Sequence, residues 1–146
     1  MIFNEKKGNL FELDNKYALV HCISLDCEMG KGIAVEFDKR FRGMKNYCKR
    51  VVEVNNLSYP CVIPYLNNYQ SVFNLVTKKI YYGKPTYATI RKCIEEMAYM
   101  CQQFDIKYLA MPKIGSGLDK LQWGKVREII IEEFMDLDIE IEVRYL

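Results

Sequence analysis

Residues 17–37, YALVHCISLDCEMGKGIAVEF, decide the fold class. The apolar run Tyr17–Ile23 is bounded by polar residues and predicts a short buried strand. It is followed by the glycine-bearing segment Met29-Gly30-Lys31-Gly32-Ile33-Ala34. Ile33, Phe37 and Phe41 then recur at four, which predicts a helix from about Lys31 through Phe41. A buried strand, a turn and an amphipathic helix in succession point to an α/β layered protein.

The same alternation continues outward. From Thr86 to about Phe104, Ile90, Ile94, Met97, Cys101 and Phe104 fall at helical intervals, with Pro85 and Thr86 as a start signal. From Lys120 to about Met135, Leu121, Val126, Ile129, Ile130 and Phe134 make a second apolar face. Val51–Val54, Cys61–Leu66, Ser71–Val76 and Tyr108–Met111 read as strands, with turns around Asn55–Ser58 and Asn67–Asn68. In the last strand, Ile139–Tyr145, apolar and charged residues alternate cleanly. The expected fold class is α/β, a mixed central sheet with helices on both faces.

At 146 residues the chain has the length of one domain, spanning 1–146, and no linker, repeat or low-complexity tract divides it. Half the residues are hydrophobic and 27% are charged, an ordinary globular balance that excludes disorder and coiled coil. No apolar run is long enough for a membrane span. The start, MIFNEKKGNLFEL, carries charges where a signal peptide is apolar, so the expected location is cytoplasmic, or nuclear in a eukaryote. Net charge is +2, from 21 basic and 19 acidic residues, too balanced to mark a nucleic-acid binder by bulk electrostatics. Lys39, Arg40, Arg42, Lys45, Lys49 and Arg50 nevertheless cluster with no acid between Asp38 and Glu53. That run is either a solvated face or a nucleic-acid contact. The six cysteines contain no CxxC pair and the chain has one histidine, so neither a zinc site nor a disulfide framework is expected. His21, inside an apolar strand, reads as a core histidine.

In an open α/β sheet, ligands bind beyond the carboxyl ends of strands, near helix starts. Two glycine segments are expected there: the one at Gly30–Gly32, and Gly115-Ser116-Gly117-Leu118-Asp119 after the strand ending near Met111. Glycine lets the backbone approach a ligand closely, and free N–H groups at a helix start favour phosphate. Neither segment matches GxGxxG or GxxxxGK[ST], which disfavours a dinucleotide Rossmann site and a P-loop. Asp119-Lys120-Leu121-Gln122 also fits a capping box, so Asp119 is a candidate for either a helix cap or a catalyst. Lys78 and Lys79, at the end of a strand, read on their own as a solvated edge.

Taken together, KGNLFEL, HCISLDCEMGKGIAVEF, LVTKK followed by KPTY, and MPKIGSGLDKLQW resemble the macrodomains of the terminal ADP-ribose protein glycohydrolase type. The resemblance keeps the order of these motifs and runs to the last strand, with residues 46–69 matching least. It implies a three-layer α/β/α macrodomain that binds ADP-ribose; a monomer is expected, and the chemistry calls for no metal or cofactor. It implies removal of single ADP-ribose units from acidic side chains of ADP-ribosylated protein and deacylation of O-acyl-ADP-ribose. In some relatives the substrate is ADP-ribosylated DNA, and a binding module without turnover is a further alternative. By motif, Lys78 matches the family's nucleophilic lysine and Asp119 its catalytic aspartate. Ser24 matches a residue near the distal ribose. Gly30, Gly32 and Ile33 match one phosphate-facing loop, and Ile114, Gly115, Ser116, Gly117 and Leu118 the other. Leu10 is a further ligand-binding candidate, and Asn9 stands where members commonly have an aspartate that accepts from the exocyclic amine of adenine. An asparagine keeps an acceptor oxygen there but loses the charge assistance.

Overall fold

The computed structural model describes residues Met1–Leu146. Eleven short segments build it: strand β1 (Ile2–Lys7), a 3-10 turn (Leu10–Glu12), β2 (Ala18–Ser24), helices α1 (Ile33–Arg40) and α2 (Met44–Asn55), β3 (Cys61–Tyr65), β4 (Val72–Lys78), α3 (Tyr87–Gln103), β5 (Tyr108–Met111), α4 (Trp123–Phe134) and β6 (Glu140–Tyr145). The six strands form one sheet in the order β1-β6-β5-β2-β4-β3. Every neighbouring pair is parallel except β3 with β4. The carboxyl ends of five strands therefore share one edge of the sheet, which is where an α/β fold places its ligand.

Side-chain alternation along the central strands splits the interior into two cores. Ala18, Val20, Phe73 and Leu75 point to one face, where Ile90, Ile94 and Met97 of α3 and Val126, Ile130 and Phe134 of α4 cover them. Leu19, Ile23, Val72 and Val76 point to the other, against Phe37 of α1 and Met44 and Cys48 of α2. This is the expected three-layer arrangement. His21 lies on that second face. It stacks on Phe37 with ring centroids 3.9 Å apart, and its Nε2 meets Asn74 Oδ1 at 2.6 Å. Burial drives its pKa from the ordinary 6.5 to about 4. It is a core histidine, as read from the sequence.

Val51–Val54 is not a strand but the last part of α2. Its consecutive valines have strand propensity, but Met44 and Cys48 fall at helical spacing and Val51 and Val52 complete the same buried face. Tertiary packing decides in favour of the longer period. The helix ends at Asn56, whose left-handed φ of 49° lets its N–H reach Val52 and Glu53 carbonyls. β1 has no counterpart among the expected strands. As an edge strand paired only with β6, it needs no apolar run, and its side chains are mostly exposed.

α4 starts later than expected, at Trp123 with Gln122 as N-cap, and no side chain caps it. Asp119 is therefore not a helix cap. α3 does carry a capping box, built by Thr86 and Thr89. All six cysteines are free thiols. Burial pushes those of Cys27 and Cys61 up to about 11 and those of Cys48 and Cys101 up to about 12, which makes them small hydrophobes. No helix is long and apolar enough to cross a membrane.

Candidate active site

Lys78 is the last residue of β4 and Ser24 the last of β2, and the two are register partners in the parallel ladder. The ladder shifts register between Ile23 and Ser24, and the Leu25 N–H donates to the Lys78 carbonyl at 2.9 Å. Lys78 is thus held at a strand terminus by bonds to its neighbour rather than standing as a solvated edge residue. Its Nζ donates to Asp119 Oδ1 at 2.7 Å. The two side chains are only 15% and 13% exposed, so the pair is largely shielded from water. Lys79, the next residue, is exposed.

Asp119 closes the loop that follows β5. Ile114 and Gly115 are buried, Ser116 is partly buried, and Gly117 and Leu118 are exposed. Ser116 Oγ donates to the Lys113 carbonyl at 2.6 Å, and the Leu121 N–H closes the loop on the Gly115 carbonyl at 2.7 Å. Gly115 has φ +76°, and a Cβ there would lie 2.8 Å from Ile90 Cδ1. Both backbone conformation and space therefore demand glycine at this point. Gly117 has nothing within 4 Å of a notional Cβ and borders open space.

The other glycine loop leads into α1. Gly32 is its N-cap, at φ 62°, and no side chain satisfies the first N–H groups of the helix. Gly30 is exposed and Ile33 half-buried. A Cβ on Gly32 would lie 3.3 Å from Leu118 Cδ1, so the two glycine loops stand side by side. Unpaired amides at a helix start and a second backbone loop opposite make a site suited to an anion such as a diphosphate.

Asn9 and Leu10 follow β1, at the other end of the same sheet edge. The turn that Asn9 caps reaches from β1 towards α1, where Phe11 packs on Phe37 with ring centroids 5.0 Å apart. Asn9 Oδ1 already accepts from the Phe11 N–H at 3.0 Å and caps the 3-10 turn, while Leu10 is buried beneath it.

Two residues beside the Lys78–Asp119 pair were not singled out in the sequence. Cys22, one turn of the pleat below Ser24, senses Asp119, Lys78 and Gly115. Burial first, and the Asp119 charge second, push its thiol up to about 12, which favours the neutral thiol. Asp26 receives three donors, the Ser24 hydroxyl, the Glu28 N–H at 3.4 Å and the Tyr81 N–H at 3.0 Å. Its only sequence signal is an acid in the turn after the strand, a position that most often merely solvates a loop. Lys84 Nζ donates to the Leu118 carbonyl at 2.8 Å, linking the segment after β4 to the second glycine loop.

Residues 20–130 match the family model described as Macro domain. The chain is 43% identical over 140 residues to the ADP-ribose glycohydrolase OARD1 of Bos taurus, across 94% of this chain and 87% of that protein. It is 26% identical over 134 residues to the DNA ADP-ribosyl glycohydrolase of Mycobacterium tuberculosis, covering 89% of this chain and 38% of that longer protein. Among solved structures, the macrodomain of Thermus aquaticus DarG superposes with a TM-score of 0.88 over 99% of both chains at 23% identity.

Proposed function

The chain belongs to the Macro domain family, and we propose that it is an ADP-ribosyl-acceptor hydrolase. Its substrates are single ADP-ribose units on acidic protein side chains, and O-acyl-ADP-ribose. The observation that carries this reading is the shielded Lys78–Asp119 contact of 2.7 Å, made at the end of the second glycine loop. The similarity to ADP-ribose glycohydrolase OARD1 supports the same substrate class.

The chemistry follows from the contact. A lysine in water is protonated near neutral pH and must lose a proton before it can attack. The hydrogen bond from Nζ to Oδ1 is a route for that proton to Asp119. The neutral amine attacks the anomeric carbon of the distal ribose. A C–N bond forms, the bond from that carbon to the acceptor oxygen breaks, and the acceptor carboxyl leaves with the electron pair and the proton that Asp119 had taken from Lys78. The carboxylate so regenerated takes a proton from water as its oxygen adds to the same carbon, the C–N bond breaks, and Asp119 passes that proton to the released amine. The products are free ADP-ribose and the unmodified acceptor. Gly117 and Leu118 on one side, and Gly30, Gly32 and Ile33 on the other, would hold the diphosphate through backbone N–H groups and fix the sugar over Lys78. Asn9 and Leu10 would take the adenine end. Release of ADP-ribose from a protein modified on glutamate, lost in Lys78→Ala, tests this reading.

A second reading, removal of ADP-ribose from DNA bases, has its own support. Lys39 and Arg40 pair with Glu36, but Arg42, Lys45, Lys49 and Arg50 have no acidic partner and leave a positive surface along α2. The DNA ADP-ribosyl glycohydrolase similarity favours the same substrate, although this chain spans only 38% of that protein. Turnover of DNA-linked against protein-linked ADP-ribose, side by side, separates the two.

A further inference from the structure

We propose that Asp26 is a positioning residue for the Lys78–Asp119 pair: its carboxylate fastens the segment that follows Lys78 to the turn that follows Ser24. The inference rests on the reading of that pair as the reacting centre.

Lys78 ends its strand where the β2–β4 ladder shifts register, so regular sheet bonding does not continue beyond it. Three other bonds hold the chain there. The Leu25 N–H takes the Lys78 carbonyl at 2.9 Å, Asp26 Oδ2 takes the Tyr81 N–H at 3.0 Å, and Lys84 Nζ takes the Leu118 carbonyl at 2.8 Å. Residues 79–84 are thereby tied at both ends, to the turn after β2 on one side and to the second glycine loop on the other. A lysine side chain has four rotatable carbons, so the place of its nitrogen depends on how firmly the backbone beneath it is fixed. Displacement of a reacting group by about 1 Å can cost about a hundredfold in rate.

The other oxygen of Asp26 accepts from the Ser24 hydroxyl and from the Glu28 N–H. The single hydroxyl hydrogen of Ser24 is thus committed to Asp26. Its oxygen lone pairs remain to accept from a ribose hydroxyl, so the same carboxylate fixes the hydrogen-bonding sense of Ser24 towards the sugar. All the groups that face Asp26 in these bonds are donors. Only an acceptor on both oxygens satisfies them; an asparagine would set its own N–H₂ against a donor.

Steady-state turnover of ADP-ribosylated protein, calorimetric affinity for free ADP-ribose and thermal unfolding, measured on the full chain for wild type, Asp26→Asn, Asp26→Glu and Tyr81→Pro, test the proposal. The expected result for Asp26→Asn is a kcat lower by about tenfold or more, with ADP-ribose affinity kept within about threefold. Asp26→Glu, which retains two acceptor oxygens, should recover more kcat than Asp26→Asn at equal thermal stability. Tyr81→Pro, which removes the same bond from the donor side at an exposed residue, should repeat the kcat loss even if an Asp26 variant fails to fold. Unchanged kcat in Asp26→Asn and Tyr81→Pro, or affinity and kcat falling by the same factor, overturns the proposal. An inactive wild type overturns the reading of the reacting centre beneath it, whereas an active wild type with equally active variants overturns this inference alone.

Discussion

Lys78 Nζ stands 2.7 Å from Asp119 Oδ1, joining the end of β4 to the loop after β5 past the end of β2, which lies between them, and neither residue has another ionic partner. The contact brings together two residues separated by 41 positions. Asp119 does not cap α4, which starts after Gln122, and its carboxylate is bonded to Lys78 instead. Both glycine loops follow strands whose carboxyl ends share one edge of the sheet, the edge on which the ADP-ribose site is proposed.

The glycine loops differ in what they tolerate. Gly117→Glu adds a side chain where there is open space, so the protein should fold normally. Its charge would face the diphosphate, and ADP-ribose affinity measured by calorimetry should fall strongly. Gly115→Ala should instead destabilise the protein by about 1–3 kcal/mol, because its Cβ meets Ile90 and its left-handed φ is strained. Unchanged affinity in folded Gly117→Glu would remove the phosphate-binding role of this loop.

Asn9→Asp should preserve or tighten ADP-ribose binding, by about 0.5–1.5 kcal/mol. Aspartate can keep the cap to the Phe11 N–H while offering a stronger acceptor to the amine of adenine. Loss of calorimetric binding in a folded Asn9→Asp protein would place adenine elsewhere.

Much of this architecture was legible in the sequence. Tyr17–Ile23, the helix after Thr86 and the alternating last strand have periods too clear to be read otherwise. Both glycine loops were legible because a short strand, glycine and a helical period follow one another. Val51–Val54 was misread because four residues of local propensity cannot report the face that Met44 and Cys48 share with them. β1 was invisible because an edge strand buries little. The roles of Lys78 and Asp119 came through motif resemblance. Composition gave Lys78 as a surface residue and Asp119 as an equally good cap, and only the tertiary contact separates those alternatives. Asp26 was missed because its donors come from three points of the chain, one of them 55 residues away.

His21 should make stability depend on pH. Its folded pKa, about 4, lies below the ordinary 6.5, so the unfolded chain binds the extra proton first. The associated stability is fully present above about pH 6.5 and is lost as pH falls towards 4. The gap corresponds to about 3 kcal/mol. In denaturant titrations between pH 7 and 4.5, His21→Gln, which can keep a partner for Asn74, should lose a smaller share of its stability than wild type. Parallel pH dependences in the two proteins would contradict this.

If the surface at Arg42, Lys45, Lys49 and Arg50 meets a nucleic-acid strand, turnover of DNA-linked ADP-ribose should fall with salt more steeply than turnover of protein-linked ADP-ribose. Arg42→Gln with Lys49→Gln should flatten the DNA slope alone. Equal slopes for both substrates in the wild type would leave these residues a solvated face.

The central claim is that Lys78 forms and Asp119 resolves a covalent adduct. Lys78→Ala should lose turnover and still bind ADP-ribose, because the glycine loops remain. In Asp119→Ala, attack can still proceed slowly with water taking the proton, while resolution is impaired. The most direct measurement is the intact mass of Asp119→Ala after incubation with ADP-ribosylated protein. The account predicts a species heavier by one ADP-ribose unit, mapping to Lys78 and missing from the Lys78→Ala, Asp119→Ala double variant. An unmodified mass together with near-normal turnover by Asp119→Ala, or substantial turnover by Lys78→Ala, would contradict it.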